Sequence, residues 1–150
     1  MEYQTAISLD FDSHDASCYQ SADGSATAIA SGSSDYLYQW VNGPSSDEWN
    51  GIGAGTYAVN VSDLNGCTTQ GEVTIDQPNP DVVSFSWNTA SLVVQFSNSS
   101  SAGTYVWDFG DGNTSTEDNP THTYAETGTY TVCLELTTDC GVKDMCNTLS

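Results

Sequence analysis

Short runs in which every second residue is apolar recur along this chain, and each run stops at a cluster of Gly, Asn, Asp or Ser. Ile7, Leu9 and Phe11 alternate with polar neighbours, and Ala26, Ala28 and Ala30 repeat the pattern. Tyr36-Leu37-Tyr38-Gln39-Trp40-Val41 is an apolar-rich run that ends at Asn42-Gly43. Tyr57, Val59 and Val61 form another set, closed by Asp63-Leu64-Asn65-Gly66, and Glu72-Val73-Thr74-Ile75 follows. Farther on, Trp107 and Phe109 alternate with polar residues until Gly110-Asp111-Gly112 breaks the run. A period of two puts alternate side chains on one face of a strand, and Asn-Gly pairs between strands favour hairpin turns. The pattern predicts an all-β chain. Eight Tyr, four Trp and four Phe point the same way and argue against intrinsic disorder.

Asp76-Gln77-Pro78-Asn79-Pro80 is the natural boundary, because two prolines in three residues cannot continue a sheet. The expected domains are residues 1–78 and 79–150. Ser45 to Gly51 is polar and turn-rich and reads as a loop carrying Trp49. The sequence holds no run of apolar residues long enough for a membrane helix, so no membrane insertion is expected. Met1 reads as an added initiator and the chain as a piece of a longer protein.

Charge narrows the partners. Twenty acidic residues face one basic residue, Lys143, for a formal charge of −19. Such a chain has nothing to neutralise phosphates, which argues against nucleic acid and against anionic lipid surfaces. Divalent cations and neutral glycans remain, and diffuse negative charge by itself keeps a protein soluble.

The five cysteines suggest an oxidising, extracellular setting, since small secreted domains supplement a limited core with disulfides. Neither histidine stands at a zinc-like spacing from a cysteine. Cys18 and Cys67 are the natural pair of the first module, and closing that loop would stabilise it by about 4 kcal/mol. A hairpin turning at Asp139-Cys140 would set Cys133 opposite Cys146 and leave Cys140 unpaired. The pairings 133–140 and 140–146 compete with it.

Tyr105-Val-Trp107-Asp108-Phe109-Gly110-Asp111-Gly112, then Pro120-Thr-His122-Thr-Tyr124, then Gly128-Thr-Tyr130-Thr-Val132, resembles the PKD (polycystic kidney disease) domain. The resemblance covers about Asp81 to Ser150. A second resemblance runs from about Ser13 to Pro78. Cys18, Asp23-Gly24, Tyr36-x-Tyr38-x-Trp40-x-Asn42-Gly43 and Gly55-Thr-Tyr57-x-Val59-x-Val61-x-Asp63-x-Asn65-Gly66-Cys67 look like the repeat of SprB-type gliding adhesins of the Bacteroidetes. The chain departs from that repeat in two loops, at Ser33-Ser34-Asp35 and Gln20-Ser21-Ala22. Together the resemblances imply two immunoglobulin-like β-sandwich domains in tandem, secreted or held on the cell outer surface. They imply a non-catalytic spacer of a large adhesin or appendage, meeting neighbouring modules, like chains, or a cell-surface glycan or protein. The alternative is a pair of accessory modules of a secreted hydrolase.

Chemistry finds little support in the sequence. His122 falls in a strand where it resembles a PKD structural position, and His14 lies between Asp12 and Asp15 as a solvated loop residue. The chain has no Gly-x-Ser-x-Gly elbow and no Gly-rich phosphate loop. No cofactor is required. Calcium has the best case among ligands, because turns rich in Asp, Asn and Ser supply oxygens. By resemblance to calcium-binding PKD domains, its ligands would be Asn98, Ser99, Asp108, Asp111 and Asp139. The competing reading has Asp108 and Asp111 tie their own turn. Asp63-Leu64-Asn65-Gly66 is a second candidate. For a glycan, Trp49 is the best-placed aromatic.

Overall fold

The computed structural model describes residues 6–150, in a first unit ending at Asn79 and a second unit, Pro80–Ser150. Every regular element among the described residues is a strand.

The first unit contains β1 (Ser8–His14), β2 (Gly24–Ser31), β3 (Tyr36–Trp40), β4 (Glu48–Ile52), β5 (Gly55–Asp63) and β6 (Thr68–Ile75). They form two antiparallel sheets, ordered β1-β2-β4 and β3-β5-β6. Ala26, Ala28 and Ile52 from one sheet meet Trp40, Val59, Val61 and Ile75 from the other in a single buried cluster. Such two-sided burial defines a sandwich.

The second unit contains β7 (Phe85–Ala90), β8 (Val93–Asn98), β9 (Thr104–Asp108), β10 (Thr114–Ser115), β11 (Thr121–Thr123), β12 (Tyr130–Thr138) and β13 (Gly141–Leu149). Its sheets are β7-β8-β11 and β10-β9-β12-β13. Phe85, Val94 and Phe96 pack against Trp107, Val132, Leu134 and Leu149. Without the two-residue β10, the two units share one topology. First, second and fourth strands make one sheet, and third, fifth and sixth the other. That is the three-plus-three core of an immunoglobulin-like sandwich.

The likeness extends to single side chains. Trp40 and Trp107, each fully buried on the third strand, donate their indole N–H to a loop carbonyl, Ser46 at 3.0 Å and Glu117 at 2.9 Å. Three Gly-Thr-Tyr tripeptides place Tyr57, Tyr105 and Tyr130 at or near strand starts. Each hydroxyl donates to the carbonyl four residues upstream, Gly53 at 2.9 Å, Ser101 at 2.8 Å and Glu126 at 3.0 Å. These are tyrosine corners, which tie an incoming loop to the strand it feeds.

Two expectations are corrected here. Ser45 to Gly51 is not all loop, because Glu48–Ile52 is β4, paired with β2. Gly51 has a positive φ of 70° and the register shifts at Gly24/Ser25, so a bulge breaks the alternation that would have shown the strand. The Cys18–Cys67 disulfide is also absent, and Cys67 carries a free thiol. Cys18 lies in the β1–β2 loop, where Ala16 N–H donates to Asp76 O and Gln20 N–H to Gln77 Oε1, beyond the end of β6. Cys67 precedes the start of β6. The length of that strand separates them by roughly 24 Å, against a Cα reach of about 7 Å for a disulfide.

In the second unit Cys133 and Cys146 face each other in the β12–β13 register and are bonded, with Cα atoms 4.0 Å apart. The bond lies on the outward face of its sheet, because Val132 and Leu134 on either side are buried. It excludes the 133–140 and 140–146 pairings. Cys140, expected to be left over at this turn, is not a free thiol.

Candidate functional site

Polar and aromatic groups cluster around the turn after β9. Strand alternation buries Trp107 and sends Asp108 outward. Phe109 then turns back into the core at 3% exposure. The turn is closed by Phe109 N–H to Asn113 O (3.1 Å), Gly110 N–H to Asp108 Oδ1 (2.9 Å) and Asn113 N–H to Asp111 Oδ1 (3.0 Å). Gly110 has φ of 78°, and a Cβ there would collide with the Thr131 carbonyl. Only glycine meets both demands.

Asp111 has one oxygen left. Its Oδ2 lies 2.7 Å from His122 Nε2 on β11. A carboxylate can only accept, so Nε2–H is the donor and the neutral imidazole carries its proton there. The ring lies flat on Phe109, with centroids 4.1 Å apart and planes 4° from parallel, and meets Tyr124 edge-on at 4.6 Å. Tyr124 is buried, donates its hydroxyl to Phe109 O at 2.9 Å and stacks on Tyr130 at 4.0 Å. Burial, with the charges of Asp111, Tyr130 and Asp108, pushes the Tyr124 hydroxyl up to about 12. Burial would raise the Asp111 carboxyl too, but hydrogen bonds from His122 and Asn113 outweigh it and the net shift is downward. Among the described residues, His122 Nδ1 has no hydrogen-bond partner. The pair therefore lacks the hydroxyl or thiol that would make it a relay. It acts as a clamp, holding β11 to the turn.

The residues suggested for calcium are not one ligand set. Asp139 lies at the β12–β13 turn. On β12, Cys133 pairs with Asp108 and Thr137 with Thr104, so Asp139 and Asp111 are at opposite ends of the sheet, roughly 20 Å apart. Asn98 Oδ1 accepts from Ser100 N–H, and Ser99 Oγ donates to Ser84 O. Asp108 and Asp111 are engaged as above. No group of three or more His, Cys, Asp or Glu side chains suited to a metal occurs among the described residues.

Asp63, the second candidate, is buried at the end of β5, and its Oδ1 accepts from Asn65 and Cys67 N–H at 2.9 Å each. Burial alone would raise its pKa, yet bonds from Cys67, Ser33 and Asn65 lower it overall. The neighbouring Cys67 thiol is pushed up by burial and by the Asp63 charge. His14 lies 3.5 Å from Ser25 Oγ across β1 and β2, on the surface.

Trp49, proposed from sequence for a glycan, is half-buried in the first core. Its ring packs edge-on against Trp40 at 5.9 Å and Tyr57 at 5.1 Å, and a Cβ on Gly43 would strike it. Because β4 is a strand, Trp49 points inward.

Residues 74–150, just over half of the chain, match the family described as "PKD domain". The chain belongs to the PKD domain family. Among curated proteins it is 68% identical over 40 residues to collagenase ColA of Bacillus cereus, covering 27% of this chain and 4% of that protein. It is 46% identical over 57 residues to pre-pro-metalloprotease PrtV of Vibrio cholerae, covering 36% of this chain and 6% of that protein. The chain thus spans only a few per cent of these relatives. Among solved structures, the PKD1 domain of Vibrio anguillarum Epp is 36% identical, over 46% of this chain and 89% of that one, with a TM-score of 0.44. In this PKD domain the Trp-Asp-Phe-Gly-Asp-Gly segment is the β9 turn, and His122 and Tyr124 hold it down.

Proposed function

We propose that the chain is a non-catalytic pair of β-sandwich modules that space and present a more distal element of a large extracellular bacterial protein. The observation that carries this reading is the internal use of the reactive side chains. The His122–Asp111 pair is consumed in locking a turn, and Asp63, Asp108 and Asn98 each cap their own backbone. The resemblance of the first module to SprB-type adhesin repeats, and the oxidised Cys133–Cys146 pair, support a surface-attached or secreted parent. Neighbouring modules or like chains would then be the main partners. Exchanging both modules for an unrelated sandwich tandem of equal length tests this. A spacer tolerates the exchange and the parent keeps its attachment. Loss of attachment with normal export contradicts the reading.

A second reading has its own observation, the sequence identity that the chain shares with a collagenase and a metalloprotease. On it, the modules accompany a hydrolase and hold it to an insoluble substrate. Co-sedimentation of the chain with insoluble collagen supports this reading, and its failure leaves the spacer alone.

A further inference from the structure

The outward face of the β3-β5-β6 sheet carries little charge for so acidic a chain. Two adjacent cross-strand rungs there run Leu37–Ser62–Thr68 and Gln39–Asn60–Gln70. These six residues line a shallow hollow of about 590 Å³. None is charged, and on this face Glu72 stands opposite Ala58 one rung farther on. The outward positions of the other sheet in the same sandwich carry Asp10, Asp12 and Glu48.

The polar groups in the hollow are also unspent. Gln39 is occupied, donating to Trp40 O at 3.0 Å and Gly43 O at 3.2 Å. The side chains of Asn60, Ser62, Thr68 and Gln70 have no intramolecular hydrogen-bond partner among the described residues. Beside them Leu37 is 62% exposed.

We propose that this face docks a neutral polysaccharide chain. Two amides and two hydroxyls on neighbouring strands offer donors and acceptors to sugar hydroxyls, and Leu37 offers a contact for the C–H face of a ring. Charge selects the occupant. An anionic partner is repelled by a formal charge of −19, and a cationic one is drawn to the carboxylates elsewhere. A second copy of this chain brings the same repulsion. The site stands apart from the spacer reading and from Trp49.

The test is retention of the whole chain on microcrystalline cellulose, chitin and insoluble xylan, with carboxymethylcellulose as the anionic arm. Retention is expected on at least one neutral polymer, weaker on carboxymethylcellulose than on cellulose if cellulose is the polymer held. The double variant Asn60→Ala/Gln70→Ala is expected to lose at least ten-fold in affinity. Its melting temperature serves as the folding control, and Leu37→Ser, expected to weaken retention as well, replaces it if it does not fold. No retention on any neutral polymer overturns the proposal, as does equal retention of the folded variants. Concentration-dependent self-association abolished by the double variant also overturns it, since the face would then join two copies.

Discussion

His122 lies flat against Phe109 and is fixed there by a 2.7 Å hydrogen bond to Asp111, so one imidazole joins the core of the PKD sandwich to the turn after β9. Phe109 in turn stacks on Phe96 at 5.4 Å, and Phe96 meets Trp107 at a tilt, with centroids 5.2 Å apart. An aromatic column thus runs from the centre of the sandwich to its surface.

This arrangement predicts an acid-sensitive contribution from Asp111. Its carboxyl titrates lower in the folded chain than in the unfolded one, because His122 and Asn113 donors overcome the opposing effect of burial. Stability from this group is therefore present above the ordinary carboxylate range and is lost as pH falls through the folded value. Asp111→Asn is expected to cost about 1 kcal/mol at neutral pH, and the difference from the parent should shrink as pH falls below the ordinary carboxylate range. Urea unfolding of both proteins across that range checks it. A constant difference would show that charge plays no part.

Trp49 should behave as a core residue. Trp49→Ala is expected to destabilise by about 3 kcal/mol, through lost contacts with Trp40 and Tyr57. Thermal or urea unfolding measures this. A stable variant with altered glycan retention would restore the sequence-based expectation.

The thiols offer a third check. The native chain should yield one thiol equivalent, from Cys67, that reacts slowly because burial and Asp63 both hold it protonated. Asp63→Asn should accelerate labelling measured at pH 8. Replacing Cys133 and Cys146 together by Ser should leave the strand content intact and cost about 3 kcal/mol, the chain-entropy value for a loop of this length.

The tyrosine corners predict a repeated effect. Phe at position 57, 105 or 130 removes one hydrogen bond to a carbonyl and should cost about 1 kcal/mol each time. Urea midpoints of the three single variants test it, and a neutral result at all three would deny the tie.

Strand alternation made most of the fold legible, because Trp40, Val59, Val61, Trp107 and Leu134 sit at period-two positions and all are buried. What escaped was set by geometry that composition does not carry. The bulge at Gly51 masked β4 and with it the inward direction of Trp49. Cys18 and Cys67 look paired in one module, yet β6 runs its whole length between their ends. The resemblance to calcium-binding PKD domains groups Asp139 with Asp111, yet the β12 register sends their two turns to opposite ends of the sheet. Gly103-Thr104-Tyr105 repeats the tripeptide of the other two corners and was a readable signal for the third.

The most direct test of the whole account is His122→Phe in the intact parent protein. Phenylalanine keeps the stack on Phe109 and removes only the bond to Asp111. A chain whose polar groups serve architecture should lose about 1 kcal/mol of stability in urea and keep the parent's full attachment or hydrolysis. Unchanged stability with that function gone would mean the imidazole takes part in chemistry, and the account would fail.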